Sequence, residues 1–156
     1  MTRKNTGFTL VEILIVVIIL GILAAIVIPQ FTEASNDARV SAMVSDLQTV
    51  RSQIELYKVQ HLERYPDRDK DNAADASVDN FKNRLLTKTK DTGEFDVAGN
   101  YGPYLQKFPE NPYVADGLKD GLVIAAAVVP GDDSTGWYWN TTDSKFSPND
   151  ANHKTW

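Results

Sequence analysis

The sequence predicts an α+β fold: a long N-terminal helix, apolar in its first half and amphipathic in its second, packed on a small antiparallel sheet of about three strands. Three observations predict it. Residues Phe8–Ile28 form an almost unbroken apolar run in an otherwise polar chain. A stripe of apolar residues at helical spacing follows, from Val40 to Tyr57. Three short β-prone segments then close the chain, in Leu122–Val129, Gly136–Trp139 and Lys145–Ser147. A chain of 156 residues allows one modest domain plus an anchor, not two independent cores.

The first helical half is the most informative stretch. Phe8–Ile28 counts 21 residues, roughly 32 Å as a helix, which matches a bilayer hydrocarbon thickness of about 30 Å. Arg3 and Lys4 precede it, and Glu33 and Asp37 follow, so the positive-inside rule places the N-terminus in the cytoplasm and the body outside. Three readings compete. A secretory signal peptide would have an apolar region of about 7–15 residues and a small-residue cleavage site, and this run is longer. A plain transmembrane anchor fits everything except Glu12. A carboxylate inside an apolar span costs about 2.5–3.5 kcal/mol at mid-helix, less near the end, and a simple anchor gains nothing from it. The third reading supplies a reason. A cut between Gly7 and Phe8 would make Phe8 a cationic N-terminus and place Glu12 one helical turn along. Its carboxylate could then pair with the amine of an adjacent subunit, or with its own, and the first turn favours an anion.

Gly7–Phe8–Thr9–Leu10–Val11–Glu12 resembles the prepilin cleavage and methylation motif of type IV pilins and type II secretion pseudopilins, and Gly21, Pro29, Gln30 and Phe31 continue it at similar spacings. The resemblance implies that a membrane peptidase cuts after Gly7 and methylates the amine of Phe8. It also implies that Phe8 and Glu12 serve assembly, and that residues 1–7 are a leader. Implied partners are that peptidase, an inner-membrane assembly platform with its motor, the lipid bilayer, and further copies of the chain in a helical filament. The implied location is the bacterial inner membrane, single-pass with the head periplasmic, and the filament after assembly.

Residues 8–29 are the expected membrane and assembly helix. Pro29 removes one backbone bond and crowds the preceding turn, so it is the expected site of a kink or local opening; it equally marks a membrane exit. Residues 30–65 are the expected amphipathic half. Val40, Met43, Leu47, Val50, Ile54 and Tyr57 recur at alternating steps of three and four, while Asp46, Gln48, Arg51, Glu55 and Lys58 fall opposite. The stripe is too short for a sustained coiled coil, so it is expected to pack on the chain's own core, against the sheet. Pro66 biases Tyr65 towards extended backbone, which predicts a helix end near residues 62–65. From Phe8 to about Leu62 such a helix runs roughly 80 Å, giving a ladle with a globular head at residues 66–156.

Within the head, residues 67–77 read as a solvated loop. Asp67, Asp69 and Asp71 alternate as in some calcium loops, but Arg68 and Lys70 interleave and the expected glycine and distant glutamate are missing. Val78, Phe81, Leu85 and Leu86 predict a short helix. GPYLQKFPENPY, residues 102–113, is too proline-rich for regular structure and is expected to wrap the body with its aromatics inward. It resembles the connecting segment of pseudopilins similar to the major subunit of type II secretion. Leu122–Val129 is expected as a buried strand, with Trp137–Trp139 and Lys145–Ser147 completing the antiparallel sheet across a turn at Thr142–Ser144. Trp137 and Trp139 would share one face, as core or as a ligand-binding surface, with Tyr138 on the other. The best-known major pseudopilins carry a C-terminal calcium loop; Asp132, Asp133, Asp143 and Asp150 are available here, but that glycine- and aspartate-rich ending is not reproduced, and turn roles are expected for them.

The net charge is −5, and −7 once Arg3 and Lys4 leave with the leader. An acidic body repels phosphate, so nucleic acid is not an expected partner. The absence of cysteine excludes disulfides, thiolate metal sites and cysteine nucleophiles. His61 and His153 are far apart, with no nucleophile–histidine–acid pattern and no phosphate loop. The chain is therefore expected to be no enzyme and to need no cofactor or metal. The expected function is that of a filament subunit, foremost a type II secretion pseudopilin. A type IV pilus subunit for adhesion, motility or DNA uptake is the alternative, and a monomeric membrane-tethered binding protein a second.

Overall fold

A computed structural model describes residues 7–156. Residues 1–6, which hold Arg3, Lys4 and most of the expected leader, lie outside the described part. Helix α1 runs from Leu10 to Gln60, with Pro29 inside it. The chain divides into two compact units, Met1–Val40 and Ser41–Trp156.

The described part of the N-terminal unit has no buried residue. Every described side chain from Gly7 to Arg39 is exposed, and only Val40 is half-covered. Among the described residues, α1 is the one helix long and apolar enough to cross a membrane.

The second unit is the head, and its core begins on α1. Met43, Leu47, Val50, Ile54 and Tyr57 are each at most 3% exposed, as the stripe predicts. They join one buried cluster with Phe81, Leu85, Leu105, Phe108, Leu122, Trp137, Trp139 and Phe146. The stripe thus meets the sheet's aromatics, as expected, and also a second helix and the proline-rich segment. The end of α1 comes at Gln60, slightly before the expected 62–65. Leu62 and Glu63 turn left-handed, at φ 57° and 61°, and the Glu63 N–H reaches back to the Lys58 carbonyl at 3.0 Å. That capping turn closes the helix before Pro66 is reached.

Helix α2, Val78–Leu86, starts where expected. The Ser77 hydroxyl accepts from the Asn80 N–H at 3.3 Å, a serine N-cap, and Phe81 and Leu85 face the core. The connecting segment carries Leu105 and Phe108 inward and leaves Tyr104 and Tyr113 half-buried against the core.

Strands β1 (Leu122–Ala125), β2 (Trp137–Asn140) and β3 (Lys145–Pro148) form one sheet in that order. The sheet is mixed, not antiparallel as expected. The β2–β3 hairpin is antiparallel, with Trp139 opposite Phe146, whereas β1 runs parallel to β2, with Leu122 beside Trp137. The reason lies in residues 126–136. The expected strand stops at Ala125, and Ala126, Ala127 and Val128 leave the sheet exposed. This segment then crosses over the sheet's outer face. The Ala127 carbonyl accepts from the Tyr138 hydroxyl at 3.0 Å and from the Asn140 amide at 3.2 Å. The chain returns to the end from which β1 began, and the Trp137 N–H bonds the Gly121 carbonyl at 2.9 Å. Gly136 permits that approach: a Cβ there would lie 1.8 Å from the Lys119 carbonyl oxygen. With the crossover in place both faces of β2 are buried, Tyr138 as well as the tryptophans.

Candidate functional site

The N-terminal site is built on the first turn of α1. Gly7, Phe8 and Thr9 precede the helix, and Phe8 is 83% exposed. Thr9 is the cap. Its hydroxyl accepts from the Glu12 N–H at 3.2 Å, while Glu12 Oε2 accepts from the Thr9 N–H and the Thr9 hydroxyl, both at 2.8 Å. This is a reciprocal capping box. It satisfies two of the backbone donors that a helix start leaves open. Sequence reasoning assigned Glu12 to a partner amine and passed over Thr9, although the Thr-x-x-Glu spacing was legible.

The capping box fixes where the Glu12 carboxylate sits: beside the backbone of Thr9, one residue from Phe8. Further along, Pro29 lacks an N–H, and the Thr32 hydroxyl bonds the Ile28 carbonyl at 3.1 Å. Two adjacent features therefore weaken the ladder there, although α1 continues through them.

In the head, several buried titratable groups are committed to the fold. His61 is fully buried, stacked on Tyr57 with ring centroids 3.7 Å apart. Its Nδ1 pairs with the Tyr57 carbonyl and its Nε2 with the Thr89 hydroxyl, both at 2.8 Å. Burial pushes its pKa down, against the raising effect of the Tyr57 bond. Arg84, also buried, pairs with Asp75 at 2.9 Å and donates to the Pro66 carbonyl at 2.8 Å. Burial would raise the Asp75 pKa, but hydrogen bonds from Ser77, Asn80 and Arg84 together hold it below the usual range. Arg51, assigned by periodicity to the polar side, reaches the carbonyls of Phe146 at 2.9 Å and Trp156 at 2.6 Å. It ties α1 to β3 and to the C-terminal residue.

Trp137 and Trp139 are core residues, at most 1% exposed, which removes the ligand-surface reading. The Trp137 indole N–H bonds the Pro109 carbonyl at 2.9 Å.

The residues present do not fit a calcium loop. Among the described residues no three acids or histidines gather. Asp69 caps its own turn, accepting from the N–H groups of Asp71 at 2.9 Å and Ala73 at 2.8 Å. Nearer the C-terminus, Asp132 accepts from Ser134 N–H and the Asn149 amide, Asp133 from Ala151 N–H, and Asp143 from the Asn140 amide. Asp150 fills the expected turn role, accepting from the N–H groups of Asn152 at 3.2 Å and His153 at 3.1 Å, and does more. It is buried, holding the Asn111 amide at 2.9 Å and His153 Nδ1 at 2.5 Å, with His153 between the rings of Tyr113 and Trp156. The two distant histidines are not brought together; His153 serves this buried acid and His61 serves the end of α1.

Comparisons with known proteins point to one family. Residues 2–28 match the family model for the prokaryotic N-terminal methylation motif. A type II secretion system core protein G of Pseudomonas aeruginosa is 34% identical over 124 residues, covering 75% of this chain and 78% of that protein. The protein of the same name from Vibrio cholerae is 29% identical over 155 residues, covering 90% of this chain and 96% of that one. That from Dickeya chrysanthemi is 41% identical over 66 residues, or 42% of each. No solved structure matches the chain.

Proposed function

This chain belongs to the family of the type II secretion system core protein G, and from that premise we propose that it is a pseudopilin: a filament subunit supporting protein export, and not an enzyme. The observation that carries this reading is the N-terminal unit. Its described apolar side chains before Val40 are all exposed, and the one acidic residue in the apolar run is held by Thr9 beside the Gly7–Phe8 bond.

In this reading residues 1–7 are the leader, 8–29 the membrane and assembly helix, 30–65 the amphipathic half with its last residues in the capping turn, and 66–156 the head. The leader stays cytoplasmic and the head lies outside the inner membrane. A prepilin peptidase cuts after Gly7 and methylates the Phe8 amine. Glu12, already oriented by the Thr9 cap, then faces the cationic amine of a neighbouring subunit, and the filament takes its register from that pair. Apolar helix surface passes from lipid to filament core, so the hydrophobic change is small and packing plus the ion pair direct assembly. Pro29 and the Thr32 back-bond supply a place for the helix to open as subunits pack. The implied partners are further copies of the chain, the peptidase, the assembly platform with its motor, and lipid.

The test is the intact mass and N-terminal sequence of the membrane-extracted protein. A chain beginning at Phe8 and heavier by one methyl group supports processing, and one still beginning at Met1 overturns it. Deleting the subunit should block secretion and leave surface piliation intact; the reverse pattern would transfer the chain to a type IV pilus.

A further inference from the structure

We propose that the head closes the crossover between β1 and β2 with the side-chain amide of Asn149 instead of a divalent cation, so that its fold is independent of calcium. Asn149 follows β3 directly and is fully buried. Its Nδ2 donates to three oxygens of the crossover: Asp132 Oδ1 at 3.1 Å, Ser134 Oγ at 3.3 Å and Thr135 Oγ1 at 3.1 Å. Its Oδ1 accepts from the Gly131 N–H at 3.1 Å. Its own N–H donates to the Gly136 carbonyl at 3.0 Å, and its carbonyl accepts from the Asp133 N–H at 3.1 Å. One residue thus bonds four of the six residues from 131 to 136 by side chain, and the remaining two by backbone.

A carboxylate and two hydroxyls converging on one point are hard oxygen donors, the type a calcium ion takes. Here the point is occupied by an N–H2 group, which offers protons and no positive ion. The arrangement recurs nearby. Asp143 takes the Asn140 amide at 3.1 Å, Asp150 takes the Asn111 amide at 2.9 Å, and Asp133 takes a backbone N–H at 3.2 Å. Each acid available in this part of the chain is therefore met by a neutral donor built into the fold. Closure by an amide does not vary with ion concentration, whereas closure by a bound ion is linked to it by mass action.

The experiment is thermal unfolding of the full chain in detergent micelles, followed by the near-ultraviolet circular dichroism of the sheet tryptophans. The wild-type midpoint is expected to be the same in excess EDTA and in millimolar calcium; a midpoint that rises with calcium overturns the proposal. Asn149→Asp replaces the donor by a carboxylate beside Asp132. It is expected to melt several degrees lower in EDTA and to recover on adding calcium, because its oxygen set then lacks a positive centre. A variant as stable in EDTA as the wild type would also overturn the proposal. Should Asn149→Asp fail to fold, the wild-type comparison still decides, and Asn149→Ala should melt lower by the same amount with and without calcium.

Discussion

Ile13, Ile15 and Val17 lie on the same helix as Met43, Leu47 and Val50, yet the first three are 51–59% exposed and the last three at most 3%. The two stretches share apolar residue types; what differs is how many there are and how they are arranged around the helix. In the N-terminal unit apolar residues surround the helix, so no single face could be satisfied by the rest of this chain. In the head they form one stripe, and a stripe can be covered by a small sheet and a short helix. The first unit is built for surroundings outside the chain, which in the proposed function are lipid and then other subunits. The second is built to be complete. Substitutions should therefore separate cleanly: those in the first unit alter assembly and leave head stability alone, and those in the second alter stability first.

The sharpest test of that separation is at Glu12. Glu12→Ala should lower filament yield by about 10-fold or more, taking the pair as worth at least ~1.4 kcal/mol, while membrane insertion and the melting of the head stay unchanged. Pull-down of crosslinked subunits measures it, and normal yield would sink the pairing model. In the head, Gly136→Ala places a Cβ against the Lys119 carbonyl and should cost about 3 kcal/mol or more, because backbone must move. Arg84→Met removes a buried guanidinium and leaves the half-buried Asp75 carboxylate and the Pro66 carbonyl without their partner; it is expected to cost about 3 kcal/mol by chemical denaturation, and filament yield per folded subunit should not change.

A smaller effect concerns pH. The His61 pKa is lowered in the fold, so the unfolded chain takes up the proton first. Its contribution is fully present above the ordinary value of 6.5 and is lost as pH falls below it. Head stability should therefore decline on acidification from neutral pH, and His61→Gln should flatten that slope. Asp75 acts in the same direction at lower pH, its contribution being lost as the medium falls below the ordinary 3.8. The smallest effect is at the helix end, where Glu63 holds a left-handed backbone. Glu63→Gly should raise stability by about 0.5 kcal/mol, the relief of strain slightly exceeding the entropy that glycine adds to the unfolded chain.

Much of this was legible in residue order. The Thr-x-x-Glu spacing at Thr9 and Glu12 is a local signal, as is the Ser77 cap; α2 starts where the sequence places it, and α1 starts at Leu10, two residues past the expected Phe8. Arg51 was misplaced because periodicity assigns a face without allowing for a long side chain that reaches around it to β3. The direction of β1 was missed because Leu122–Val129 reads as one apolar run. Its second half is held outside the sheet by Tyr138 and Asn140, residues far enough along the chain to be invisible to a local window.

By itself the sequence determined the helix, its apolar and amphipathic halves, the motif around Gly7 and Phe8, and the stripe that becomes the core. These depend on neighbours within a turn or on a repeating period. Only the tertiary structure decided that the sheet is mixed, that Asp150 and His153 are buried together, and that Asn149 closes the crossover. Each depends on bonds between residues brought together by the fold, as Asn111 meets Asp150, and no spacing along the chain encodes such a meeting.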